Sequence, residues 1–230
     1  MSQIKVELQE SMGNDRSVAN AAWTSSTLLE KKSEKTDEQV TELVKRLAKD
    51  GHSTPFESVI LRFWIKMPIQ TDRQFMSHRI QSTSGMSGRY RTMPDETLEI
   101  PNDIWLIMDK LEKTDNYGIA GNYSIICEEA NKYYQTALTF LKQSEKNGII
   151  SNNEYKRARE FFRGVLPQNN MTERISIMNL RAFANFIRLR TSPHAQPEIQ
   201  EVARQMLEAV KNANIAPIAL KALEENNWKI

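Results

Sequence analysis

The chain is predicted to fold as one domain of mixed α and β structure over residues 1–230, and three features of its sequence predict this. Alternating apolar and polar residues mark separate short strands at Ile4–Leu8, Ser58–Met67 and Met171–Asn179. Capping-box tetrads open helical stretches at Thr36, Thr54 and Ser151. No internal repeat and no linker interrupts the chain, and 40% apolar composition suffices for a substantial core.

Taken in order, Ile4-Lys-Val-Glu-Leu is the first strand, Met12-Gly-Asn-Asp a turn, and Ser17–Trp23 a small-residue helix running into the hydroxyl cluster Thr24-Ser25-Ser26-Thr27. Residues 30–37 are charged and expected to be exposed. Thr36-Asp-Glu-Gln then starts a helix with Val40, Leu43, Val44, Leu47 and Ala48 on one face and Gly51 as its stop. Thr54-Pro55-Phe56-Glu57 is read as a second capping box with proline at the first helical position, though Thr54 and Glu57 equally suit ligand contact. Val59, Leu61, Phe63, Ile65 and Met67 form the apolar side of the strand that follows, ended by Pro68. A helical segment, residues 68–76, leads on from it. Residues 93–118 are poorly patterned, with turn signals at Pro94, Pro101 and Asp115.

Residues 121–147 carry Tyr123, Ile126, Cys127, Ala130, Tyr134, Ala137, Leu138 and Leu141 at helical spacing, closed by Asn147-Gly148. Ser151-Asn-Asn-Glu opens the next helix, which runs through Phe162. After the strand Met171–Asn179, Leu180–Arg190 is a helix with Phe183, Phe186 and Ile187 on its apolar side and Arg181, Asn185 and Arg188 at i, i+4 and i+7. Pro193 ends it, and helices follow from Gln196 to about Asn212 and near Ala216–Glu225.

Thirty-one basic residues against twenty-nine acidic leave a net charge of +2, too balanced for a duplex nucleic-acid partner. The charge is uneven, however: 73–94 and 174–197 contain cationic side chains and no acids. Within the first of these, Arg73 to Tyr90 combines Arg73, His78, Arg79 and Arg89 with serines and glycines. Guanidinium forks beside hydroxyls suit an anionic, hydrogen-bonding ligand, with a solvated polar loop as the bland alternative.

Cys127, the only cysteine, excludes a disulfide framework, and its helical setting predicts a buried small hydrophobe. The three histidines, His52, His78 and His194, lack metal-ligand spacing, so no metal site is expected. The N-terminus has no apolar leader and no run approaches a membrane span, so a soluble, cytoplasmic protein is expected. Gly85-Met-Ser-Gly-Arg is not a hydrolase elbow, and no Gly-x-Gly-x-x-Gly or Walker loop occurs; any nucleotide must be held by side chains and loops.

Ser77-His-Arg, seven residues, then Ser87-Gly-Arg-Tyr resembles the signature of the flavin-dependent thymidylate synthases, Arg-His-Arg, seven residues, then Ser. Met12-Gly-Asn-Asp, Gly51-His-x-Thr-Pro-Phe-Glu, Arg73-Gln, Val165-Leu-Pro, Asn179-Leu-Arg, Asn185-Phe and Leu189-Arg-x-x-x-His194-Ala-Gln are similar to that family in order and spacing, over about residues 5–200. The resemblance implies an α+β fold, a central, mostly antiparallel sheet flanked by helices, in a homotetramer with shared active sites. It implies reductive methylation of dUMP to dTMP, with methylene-tetrahydrofolate as one-carbon donor, FAD as hydride carrier and NADPH as reductant. By motif position Ser25, Thr54, His78, Arg79, Asn179, Arg181, Asn185 and His194 would contact FAD. Gln74, Ser87, Gly88, Arg89, Arg163 and Arg190 would bind dUMP, with Arg190 at the uracil ring as the catalytic residue.

The chain departs from the family pattern at Ser77 (arginine in the signature), at Ser84-Gly85 (usually Asn-Glu) and at Ser58 (often histidine). Ser77 removes a cation and Gly85 a carboxylate from the expected nucleotide region. Two alternatives follow: C5 alkylation or hydroxymethylation of another pyrimidine deoxynucleotide, or a non-catalytic nucleotide- or RNA-binding relative.

Overall fold

The structure, a computed structural model, describes residues 3–26, 29–32, 34–115 and 118–229. Its elements in chain order begin with β1 (Lys5–Met12), α1 (Asp15–Trp23), α2 (Leu29–Lys32), α3 (Asp37–Lys49), β2 (Ile60–Pro68), α4 (Ile69–Phe75) and β3 (Ser82–Gly85). They continue with α5 (Asn102–Asp115), α6 (Ile119–Lys146), α7 (Asn152–Phe162), β4 (Met171–Asn179), α8 (Leu180–Arg190), α9 (Pro197–Asn212) and α10 (Pro217–Glu225). Two short 3-10 turns, Thr54–Ser58 and Arg163–Val165, complete them. The class is α+β. The four strands form one sheet in the order β1-β2-β4-β3, with β1–β2 and β3–β4 antiparallel. Among the described residues no helix is long and apolar enough to cross a membrane.

The chain divides into two compact units. One comprises residues 4–67, 71–85 and 173–229 and contains the sheet. Its core follows the alternation of β2, where Leu61, Phe63, Ile65 and Met67 are fully buried, as is Val59 just before the strand. Helix α8 contributes Phe183, Phe186 and Ile187, and Phe63 stacks on Phe183 with ring centroids 6.0 Å apart. Burying each of these side chains stabilises the fold by roughly 1.5–3 kcal/mol. The capping boxes at Asn14 and Thr36 set the starts of α1 and α3. Helix α10 has no local cap; Asp15 supplies it from across the unit, accepting from the backbone N–H groups of Ala219 at 2.7 Å and Ile218 at 3.2 Å.

The other unit comprises Pro68–Gln70 and Met86–Thr172, with Gln3. Met93, Tyr134, Leu138 and Leu166 form a buried cluster in it. The buried stripe of α6 is narrow, with Cys127, Asn131, Tyr134, Leu138 and Ser144 buried among its described residues. Asn131 is satisfied by exchanging amide hydrogen bonds with Asn170 at 2.6 and 3.2 Å.

Several expectations need correction. The apolar spacing put Tyr123 and Ile126 on the packed face of α6, but they are 41% and 64% exposed, because the stripe that packs is only one residue wide per turn. Residues 93–118 are not patternless: 102–115 is helix α5, and Thr97 bridges to Asn170. Thr54 does not cap the turn it opens; the N-cap is Ser53, without a side-chain hydrogen bond, and Glu57 is drawn off by Arg181. Lys32 is buried in the segment expected to be exposed, its ammonium donating to the Asn20 carbonyl and Thr24 hydroxyl. On β4 the alternation is inverted, since Ser176 is fully buried while Ile177 is 38% exposed. Thr27, at the end of the hydroxyl cluster, lies outside the described residues.

Candidate functional site

The stretch from Arg73 to Tyr90 is not one loop. Helix α4 ends at Phe75, residues 76–81 turn, and residues 82–85 form the edge strand β3, pairing Ser82, Thr83, Ser84 and Gly85 with Ile177, Ser176, Ile175 and Arg174. Polar residues tolerate this edge because one side of it faces water. Gln81 shapes the turn. Its amide donates to the carbonyls of His78 at 2.8 Å and Phe75 at 3.3 Å, and its Oε1 accepts from the Ser176 hydroxyl at 2.7 Å. Nothing in the local sequence marks Gln81 for this work.

The turn and helix α8 enclose a cavity of about 550 Å³ lined by His78, Arg79, Arg181, Asn185 and Arg190, with Ile80, Met178, Phe186 and Leu189 as its apolar wall. The strand β4 leads straight into α8 at Asn179, whose side chain accepts from the Ala182 N–H at 2.8 Å and starts the helix. One turn of spacing then puts Arg181 and Asn185 on the same side of α8, and Arg190 follows at its C-terminal end. Arg190 Nε donates to His78 Nε2 at 2.8 Å and Nη2 donates to the Ser77 hydroxyl at 3.1 Å. Burial, and the guanidinium of Arg190 beside it, push the His78 imidazole down to about 4, so it is neutral at pH 7 and its Nε2 is an acceptor. Phe186 meets the imidazole edge-on at 4.9 Å and holds its plane.

The acid-free segments of the sequence are not acid-free in space. Asp72 accepts from Arg174 Nε at 2.5 Å and Nη2 at 2.7 Å, both side chains less than 20% exposed. Glu57 pairs with Arg181 at 2.7 Å, and Glu160 pairs with Arg89 at 2.6 Å. Among the described residues Arg79 and Arg190 have no carboxylate partner. Of the three arginines that line this cavity, these two keep their charge uncancelled by an acid.

A second cavity of about 730 Å³ lies in the same unit, lined by Trp23, Ser25, Ser26, Arg46, His52 and Thr54 among others. It brings together Ser25 at the end of α1 and Thr54 at the start of the 3-10 turn. Arg46 was not singled out from the sequence; it sits in the last turn of an ordinary charged helix, and only the fold brings it beside Ser25, Ser26 and Gly51. Asn179 and His194 line neither of these cavities; His194 is exposed beyond α8, and Gln74 is bonded through its amide to Gln196.

In the helical unit, Ser87, Gly88, Arg89 and Arg163 form a separate group. A Cβ on Gly88 would come within 3.1 Å of Arg163 Cδ and 3.2 Å of Met93 Cγ, so the arginine stem lies close across this backbone and a larger residue would push it aside. The Ser87 carbonyl accepts from the N–H groups of Tyr90 and Arg91, and its hydroxyl from that of Arg89.

The sequence profile of the family described as "Thymidylate synthase complementing protein" matches residues 7–218. The flavin-dependent thymidylate synthase of Kosmotoga olearia is 32% identical over 213 residues, covering 90% of this chain and 85% of that one. That of Thermotoga neapolitana is 35% identical over 200 residues, covering 86% and 81%. Among solved structures, a UMP/dUMP methylase from Streptomyces cacaoi bound with 5-Br dUMP superposes with a TM-score of 0.75 at 26% identity, covering 99% of this chain and 97% of that one.

Proposed function

The chain belongs to the flavin-dependent thymidylate synthase family, and on that premise we propose that it methylates dUMP reductively at C5 to give dTMP. In this reading methylene-tetrahydrofolate donates the one-carbon unit, FAD carries the hydride and NADPH reduces the flavin. The residues present suit a dinucleotide. Hydroxyls at Ser25 and Thr54 and the carboxylate-free Arg79 suit a pyrophosphate, and Phe186 and Leu189 offer an apolar wall for a ring. Ser25, Thr54, His78, Arg79, Asn179, Arg181, Asn185 and His194 are its proposed contacts.

A bound flavin supplies the redox chemistry, and the protein supplies orientation and electrostatics. Arg190 acts at the uracil ring. A guanidinium does not lose its proton in a protein, so it stabilises an anionic pyrimidine without exchanging a proton with it. Gln74, Ser87, Gly88, Arg89 and Arg163 position the nucleotide, their task being geometry rather than proton transfer. Cys127 takes no part, being buried on α6. The observation that carries this reading is Arg190 itself: a fixed cation, lining a cavity, whose partners are an imidazole and a hydroxyl instead of an acid.

A homotetramer is part of the same proposal. It is supported by large apolar side chains exposed on the helical unit, among them Leu106 (62%), Ile126 (64%), Phe140 (72%) and Phe161 (70%). Light scattering at micromolar protein checks it; a monomer would refute it.

The decisive assay is tritium release from C5-labelled dUMP with NADPH and methylene-tetrahydrofolate, on protein purified with visible flavin absorbance. Release from dUMP and not from dCMP is expected. Colourless protein without release would sink the reading. A second reading, C5 alkylation of another pyrimidine nucleotide, is favoured by the Streptomyces cacaoi relative, which is described as acting on UMP as well as dUMP. Labelled UMP in the same assay tests it.

A further inference from the structure

We propose that Ser77 is a positioning residue, which with His78 clamps the Arg190 guanidinium on its Nε–Nη2 side without neutralising it, so that the cation is presented intact to a pyrimidine nucleotide. This rests on the assignment of Arg190 to the nucleotide made above, and adds a residue that assignment does not contain.

The geometry of Ser77 carries it. Its hydroxyl donates to the Gln74 carbonyl at 2.7 Å, which commits the only hydroxyl hydrogen. The oxygen lone pairs are therefore free to accept, and Arg190 Nη2 lies 3.1 Å away. On the adjacent residue His78 Nε2 accepts from Nε at 2.8 Å. Two neighbouring acceptors thus take two donors of one planar fork, while Nη1 has no partner among the described residues.

Both acceptors are anchored from behind. The His78 N–H donates to the Phe75 carbonyl and the His78 carbonyl accepts from Gln81, while Gln74, whose carbonyl holds the Ser77 hydroxyl, has its own amide bonded to Gln196. The clamp is therefore part of the α4–β3 turn rather than a chance contact of two mobile side chains.

A neutral clamp has a consequence that a carboxylate clamp lacks. A carboxylate would orient the guanidinium equally well but would cancel its field at the ligand, as Asp72 does for Arg174. An imidazole and a hydroxyl orient it and leave the full charge. An arginine at position 77 has no acceptor to offer and would face Arg190 as a like charge. Ser77 therefore supplies an acceptor where the family signature has a third cation.

The test is calorimetric titration of dUMP and UMP into the whole protein and its Ser77→Ala, Ser77→Thr, Arg190→Ala and double Ser77→Ala/Arg190→Ala variants, with folding checked by circular dichroism. Ser77→Ala is expected to weaken nucleotide binding about tenfold, and Ser77→Thr, which keeps the hydroxyl, to restore it. In the Arg190→Ala background, removing Ser77 should add nothing, since its effect passes through the arginine. Full affinity in Ser77→Ala, or the same loss with and without Arg190, would overturn the clamp and leave the nucleotide assignment standing. Wild-type protein that takes up neither nucleotide would overturn both.

Discussion

Arg174 and Arg190 belong to the same acid-free segment of the chain, yet the fold uses them in opposite ways. Arg174 starts inside the sheet on β4 and is met by Asp72 of α4 in a two-pronged ion pair, 12% and 16% exposed. Arg190 closes α8 and is met by a neutral imidazole and a hydroxyl at the wall of a cavity. The first arrangement neutralises charge and ties two elements together. The second orients a charge and preserves it. In this pair of arginines, the one held by a carboxylate belongs to the scaffold and the one with only neutral acceptors is available to a ligand.

The largest effect expected from this contrast is on turnover. Arg190→Ala should lower kcat/KM by about 10²-fold or more while leaving the melting temperature close to wild type, as loss of a transition-state donor does. Tritium release and a thermal melt on the same preparation check it; equal turnover would remove the assignment. Asp72→Ala should do the converse. It strands a largely buried guanidinium and should cost about 3 kcal/mol in urea unfolding, most of it recovered when Arg174 is also replaced by methionine.

A smaller effect separates the two sites by pH. His78 titrates near 4 in the folded chain, below its ordinary value of 6.5, because burial and Arg190 disfavour the imidazolium. The unfolded chain therefore binds the proton first on acidification. The stability that neutral His78 contributes is complete above about pH 6.5 and is lost as pH falls from 6.5 toward 4. Urea midpoints over that window should fall more steeply for wild type than for His78→Gln, and parallel curves would contradict the assignment.

The smallest effect concerns Gly85. A Cβ there would lie 3.2 Å from the Arg174 guanidinium, which Asp72 prevents from moving aside. Gly85→Ala should therefore cost about 1 kcal/mol in wild type and less in the Asp72→Ala background, where the arginine can yield. Denaturant titration of the four proteins decides it.

Much of this fold could be read from residues close in sequence. Thr36 and Ser151 cap α3 and α7 through bonds to residues three positions on, so their starts follow from local chemistry. The alternation of 59–67 names the face of β2 that packs, because a strand repeats every second residue. The spacing on α8 likewise places Phe183, Phe186 and Ile187 inward and brings Arg181 and Asn185 to one cavity. The motifs named the arginines but not their partners.

What remained hidden depends on groups far apart in the chain. The carboxylates that meet Arg174 and Arg181 come from positions 102 and 124 residues away, and no local pattern announces either pairing. Strand β3 has no apolar alternation and exists because β4 offers it a hydrogen-bonding edge. Ser77 reads in sequence as a lost cation; only when α8 is packed beside the α4–β3 turn does its hydroxyl become an acceptor for Arg190. Caps and periodicity act over one helical turn and are written locally, whereas the pairing of charges is settled by which surfaces packing brings together.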